Sequence, residues 1–242
     1  MDKLQIIEAI KTNNHESLNL REVDLSGVDL SGVDLSGIDL YNANLSHSNL
    51  TDANLAKADL PHVNLTKAKL VNTKVTAANL VGAKLSGANL GHTDLSETNL
   101  KYANLSHVDL RTVNLTKAVL FSADLSYSNL SGLDLSCINL SNAKLYFTEL
   151  QNCNLSCASL TDSNLCFAKL VKVNLFWTNL SGANLSHANL TEANLRNAIL
   201  RGVSLSGVNL RGAIMYKSTL QGVDLTETSI DEINFVDVLD GF

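Results

Sequence analysis

Leucine recurs at every fifth position from Leu20 to Leu225, interrupted only by Val75 and Met215, and the frame runs on through Ile230 and Phe235. Two residues before each central residue stands a small one, mostly Ala, Val, Ser or Thr, never charged between Leu18 and Val238. The position directly before the centre is usually Asn or Asp, and the two positions after it vary freely. Ser181 to Leu200, reading SGANL SHANL TEANL RNAIL, shows four copies side by side. The frame holds without insertion from Leu18 to Asp237.

A period of five fits neither regular element. Residues on a helix advance by about 100°, so leucines five apart spiral around it and share no face. A flat strand alternates its side chains, and an odd period sends successive leucines to opposite faces. A chain that turns a corner once per unit brings every centre to one axis, with the small residue also inside and three residues of five outside. That is a solenoid, in which each coil covers only its neighbours. The exceptional residues suggest how many units close a coil. His107, Tyr127, Phe147, Phe167 and His187 are spaced by 20, as are Cys137, Cys157 and Trp177, and Gly182, Gly202 and Gly222. Four units per coil stack each set into a column.

The A(D/N)LXX pattern, seen at Ala53-Asn54-Leu55, Ala88-Asn89-Leu90 and Ala183-Asn184-Leu185, resembles the pentapeptide repeat family over residues 18 to 237. The resemblance implies an all-β solenoid, a right-handed quadrilateral (four-sided) β-helix of about 11 coils with the central Leu and the small residue inside. Residues 1–17 are expected to form a short capping helix and linker: Leu4, Ile7 and Ile10 fall at helical spacing, Ile6 adds to the apolar side, and Asp2 suits an N-cap. A cap protects the unpaired backbone of a solenoid end. After Leu225 the units degrade. Phe235 and Val236, with Val238, Leu239 and Phe242 of the tail at 238–242, either fold over the last coil or meet a second copy, giving a monomer or a C-terminal-mediated homodimer.

Composition narrows the partners. A net charge of −6 and a pI near 5.4 argue against binding nucleic acid through phosphates. The sequence shows no leader and no run of about 18 apolar residues, so no membrane association and a cytoplasmic location are expected. Cys137, Cys153, Cys157 and Cys166 lack metal-type spacing. Cys137 and Cys157 lie close enough for a disulfide by distance, yet free thiols are expected in a reducing compartment.

No constellation for catalysis, cofactor binding or metal ligation emerges. A filled solenoid offers columns rather than a cleft in which acids and bases converge. The histidines scatter, and the serines after the centres, such as Ser26, Ser86 and Ser186, have no paired base. Asp24, Asp29, Asp34 and Asp39 form an acidic ring, read as a solvated, repelling terminus, while Lys57, Lys67, Lys69, Lys74 and Lys84 gather further on.

The outward aromatics are the remaining signal. Tyr127, Phe147 and Phe167 are expected to form a ladder on one side, flanked by His107 and His187 and joined by Tyr146, with Phe176 and Trp177 on the opposite side. They are either an apolar strip for a protein partner or rings on neighbouring coils that support one another by stacking. The expected function is a non-catalytic scaffold for protein–protein interaction, regulatory in role. The alternative is a DNA mimic that inhibits or protects a type II topoisomerase (DNA gyrase), as the resemblance implies for some members. Duplex DNA carries one charge per about 1.7 Å, far above this chain's net charge, and Lys69, Lys74, Lys84, Lys144 and Lys169 interrupt its acidic rows. The layout also resembles small members common in cyanobacteria, including regulators of heterocyst formation.

Overall fold

A computed structural model describes residues 3–12, 19–223, 225 and 227–229. The expected N-cap Asp2, the linker, the ends of the repeat frame and the tail at 238–242 lie outside the described residues. The chain forms two compact units, Met1–Val119 and Leu120–Phe242.

In each unit the leucine frame becomes the core. Central residues from Leu20 to Leu220 are at most 5% exposed, Val75 and Met215 included. The small positions are buried beside them, as at Ala53, Ala88, Ala183 and Val203. In the first coil Val23, Val33 and Ile38 are only half-buried, because no earlier coil covers them.

The repeat closes at four units. Residues one before the centres pair in parallel with those 20 further on, from Asp24↔Asn44 to Asn99↔Val119 in the first unit and from Asp124↔Lys144 to Asn209↔Ser229 in the second. Each side of a coil contributes one such rung, so the sheet character is distributed over isolated bridges rather than long strands.

Backbone accounting explains the unit. The central amide donates to the next coil, as Leu25 N to Asn44 O at 2.7 Å, and the residue before the next centre donates back, Asn44 N to Val23 O at 2.9 Å. The second residue after the centre also donates across, Glu22 N to Tyr41 O at 2.8 Å. The small residue closes a turn onto the preceding centre, Ala43 N to Leu40 O at 3.0 Å. One donor per unit remains, on the first residue after the centre. The Asn or Asp side chain takes it, as in Ser26 N to Asp24 Oδ1 at 2.9 Å and Ser186 N to Asn184 Oδ1 at 2.9 Å. That is why an amide or acid precedes the leucine. At Pro61 this donor is missing, and proline suits that corner position.

The corner has a second requirement. The turn bonds the small residue back to the centre, with positive φ at the second residue after the centre but not at the first. This is the signature of a type II turn. Among the described residues, thirty non-glycine ones hold this left-handed conformation, from Glu22 at φ 61° to Glu227 at φ 56°. Thr112 is the exception among described second corner residues: it has no positive φ, and His92 N bonds to its Oγ1 at 3.1 Å instead of to a backbone carbonyl. A β-branched side chain resists this region.

Buried hydroxyls at small positions are satisfied by carbonyls of central residues. Thr178 Oγ1 donates to Leu155 O at 2.6 Å and Ser163 Oγ to Leu160 O at 2.6 Å. Burying them therefore leaves no orphaned donor.

Helix α1, Lys3–Lys11, precedes the coils. Ile10 is buried and Ile7 half-buried, but Leu4 is 77% exposed, contrary to the expected apolar side. The inward stripe runs through Ile6, Ile7 and Ile10 instead. Lys3 Nζ donates to Ser26 O at 2.9 Å and lies 4.0 Å from Asp24 Oδ1, which turns Leu4 outward.

Candidate protein-contact surface

The left-handed corner directs side chains outward. Because residues 20 apart share the same φ, their side chains leave consecutive coils in the same direction, and flat rings stack. Tyr127 and Phe147 stack with centroids 5.5 Å apart and planes 10° apart. Phe147 and Phe167 follow at 4.9 Å and 6°, then Phe167 and His187 at 5.0 Å and 16°. Tyr146, half-buried beside them, meets Tyr127, Phe147 and Phe167 edge-on at 5.7, 4.5 and 5.8 Å. Tyr127 is 51% exposed, Phe147 41% and Phe167 39%, so none of these rings is core.

The ladder's margins are polar. Lys144 Nζ lies 3.6 Å from Asp124 Oδ2 on one flank, and Lys169 Nζ 2.7 Å from Glu149 Oε1 on the other. The ladder ends where the column reaches Gly207, at φ 65°. A Cβ there would overlap the imidazole of His187, so glycine makes room for that ring.

Phe176 and Trp177 sit two units round the coil from the ladder, on the opposite side, and meet edge-on at 6.2 Å. Trp177 is 57% exposed. His107 belongs to the first unit, at an exposed corner with φ 59°. Tyr102, also at a corner of the first unit and 60% exposed, lies outside the expected aromatic columns. Its place two after a centre was the available signal.

The acidic ring proves to be part of a hydrogen-bond chain. Asn side chains donate to the residue 20 earlier: Asn44 Nδ2 to Asp24 Oδ1 at 3.1 Å, and Asn64 Nδ2 to Asn44 Oδ1 at 3.1 Å. Asn49 and Asn54 bond likewise to Asp29 and Asp34, both at 2.9 Å. A first-coil residue has no earlier amide to donate to. Asp, an acceptor only, ends the chain without an unpaired N–H. Other acids in the rows have cations at hand instead: the first-coil Asp39 has Arg21 at 2.7 Å, and further on Asp109 has Arg111 at 2.7 Å and Asp124 has Lys144 at 3.6 Å.

Among the described residues, no group of three or more His, Cys, Asp or Glu is placed to hold a metal ion, and no helix is long and apolar enough to cross a membrane.

The sequence profile described as pentapeptide repeats matches residues 17–37, 38–76, 78–116, 118–156, 158–197, 178–216 and 188–227. The chain belongs to the pentapeptide repeat family. Among solved structures, this pentapeptide repeat protein is similar to HetL, involved in heterocyst differentiation regulation in the cyanobacterium Nostoc sp. strain PCC 7120. The two are 28% identical over 92% of each chain, with a TM-score of 0.43. A pentapeptide repeat protein from the cyanobacterium Cyanothece 51142 is 30% identical over 64% of this chain and 86% of that one, with a TM-score of 0.23. Full-length QnrB1, a plasmid-mediated fluoroquinolone resistance protein, is 14% identical over 89% of this chain and 93% of that one, with a TM-score of 0.33. No curated protein matches the chain in sequence.

The repeat's carboxylates also set its acid sensitivity. Hydrogen bonds from the residue two ahead hold Asp24 and Asp29 below the ordinary carboxyl range, as does the Tyr41 amide for Asp39 and the Arg111 side chain for Asp109. The Ser136 amide does the same for Asp134. At Asp94 desolvation pushes the other way and is outweighed by hydrogen bonds from Ser96, Thr76 and Asn114. Carboxyls depressed in the folded state contribute stability that is complete above the unfolded value, about 3.9, and is lost as pH falls through the lower folded values. The urea midpoint of this pentapeptide repeat protein should therefore hold from pH 7 to about 5 and drop below about 4. A midpoint that rises on acidification would contradict this account.

Proposed function

We propose that this chain is a non-catalytic scaffold, regulatory in role, that engages a protein partner through the aromatic ladder of Tyr127, Tyr146, Phe147, Phe167 and His187. Phe176 and Trp177 on the opposite side, and His107 in the first unit, provide further contacts. Pentapeptide repeat proteins are in general structural or interaction proteins. The four-sided coils, right-handed as the family resemblance implies, present these columns, and α1 serves as a cap.

One observation carries the reading: large apolar rings stand outward in register, bracketed by ion pairs and amides. Interface cores are enriched in aromatics and enclosed by polar rims. Stacking within the chain accounts for the ring faces but leaves their edges turned to solvent.

Phe147→Ala removes two stacked neighbours and the edge contact of Tyr146. It should cost about 1–3 kcal/mol of stability while leaving the chain folded. Affinity capture from the native source, read by mass spectrometry, should then lose a protein retained by wild type and by Lys217→Ala. An identical set of proteins held by the folded Phe147→Ala variant would remove the ladder as the contact surface.

A further inference from the structure

Two of the four cysteines differ from the others in setting. Cys153 is buried at a small position, its Sγ 2.8 Å from Leu130 O, and desolvation pushes its thiol up to about 11. Cys166 is half-exposed. Cys137 and Cys157 are both exposed and occupy the same corner on consecutive coils, at φ 59° and 58°. Their amides are fixed in the coil, Cys137 N to Ser156 O and Cys157 N to Phe176 O, each at 2.9 Å. With equal φ their Cα–Cβ bonds leave the backbone in parallel, separated by the coil repeat of about 4.8 Å. The rings of Tyr127, Phe147 and Phe167, in the equivalent column on the opposite side, lie 5.5 and 4.9 Å apart and show that this spacing carries into the side chains.

That separation suits a metal bridge. A disulfide draws the two Cβ atoms to about 3.5–4.5 Å, so closing one would pull the two coils slightly together. A cation between two thiolates on opposite sides, each about 2.3 Å away, spans about 4.6 Å and matches the repeat. Thiolates select soft cations such as Cu(I), and two-coordinate linear geometry asks for no third ligand.

We propose that Cys137 and Cys157 form a two-thiolate site for a soft monovalent cation of the Cu(I) or Ag(I) type, held linearly between consecutive coils. Binding exchanges the two thiol protons for one metal ion, with no change in oxidation state. Trp177 is the next residue of the same column and the only tryptophan of the chain, so it reports the site directly.

The reduced full-length chain is titrated with Ag(I), and anaerobically with Cu(I), against a competing chelator. One equivalent should bind with quenching of Trp177 emission and release of two protons. Cys137→Ser and Cys157→Ser should each weaken binding on the order of 100-fold or more, since each removes one arm of a chelate. Both substitutions lie at exposed corners, and Cys166→Ser should bind as wild type. X-ray absorption should show two sulfur neighbours. Single serine variants that bind as tightly as wild type, or silver surrounded by three or more sulfurs, would overturn the site.

Discussion

Leu155→Ala is expected to lower the unfolding free energy by about 2–5 kcal/mol, the range for emptying a leucine-sized space in a core that relaxes only partly. Leu155 is 0% exposed, and the column continues through Leu135 and Leu175, both at most 2% exposed. Its backbone is tied twice to the following coil: the amide donates to Asn174 O at 2.8 Å, and the carbonyl accepts from Thr178 Oγ1 at 2.6 Å. The surrounding coil cannot close over the gap without breaking those bonds. Coils of a solenoid depend on their neighbours, so the damage should also appear as faster amide exchange in the coils that contain Leu135 and Leu175. Urea unfolding measures the first effect, and a loss below about 1 kcal/mol would show that the leucine column is not the main support of the fold.

Asn174→Ala should cost about 2–4 kcal/mol although the sequence gives the side chain no more than a surface amide's place. Asn174 Nδ2 donates to Asn154 Oδ1 at 3.0 Å, and its Oδ1 accepts from Asn194 Nδ2 at 2.9 Å and from Phe176 N at 3.2 Å. Two part-buried bonds and one exposed bond, at about 0.5–1.5 kcal/mol each, set the magnitude. Asn154 in turn donates to Asp134, so the substitution cuts a continuous chain of four side chains in the middle. Asn184 gives the internal comparison, because the structure shows it with the single bond from Ser186 N. Asn184→Ala should lose about 1 kcal/mol. Equal losses at the two positions, measured by urea unfolding, would mean that the links between amides contribute nothing beyond the turn bond.

The core was legible in the sequence because its signal is geometric. Leucine at every fifth place admits one arrangement, and the spacing of Cys137, Cys157 and Trp177 gave the coil its four units. The ring column from Tyr127 to His187 was legible for the same reason. What the period did not reveal was hydrogen bonding. Glycines at corners hinted at tight turns, yet the left-handed backbone extends to Trp177, Lys217 and other side chains that disfavour it, because the coil's ladder bonds impose it on the described corners other than Thr112. Spacing alone makes the acidic ring of Asp24, Asp29, Asp34 and Asp39 a solvated, repelling terminus, whereas the carboxylates of Asp24, Asp29 and Asp34 also end rows of donors and Asp39 pairs with Arg21. Leu4 was placed on the inward side of α1, and the bond from Lys3 to Ser26 turned it out. Each of these depends on which atom faces which, and residue spacing alone carries no such information.

The pairing of each rung with its counterpart 20 residues on limits how a chain of this kind can change length. Excising twenty residues within the second unit would leave every surviving column in line. Excising only five, for example 151–155, would preserve the leucine axis but rotate the following side chains by a quarter of a coil. Phe167 would then leave the Phe147 column for the neighbouring edge, and the ring stack would be severed in a molecule whose interior remained filled. Surface pattern and interior are thus inherited under different rules: the interior tolerates gains and losses in fives, the exposed columns only in twenties.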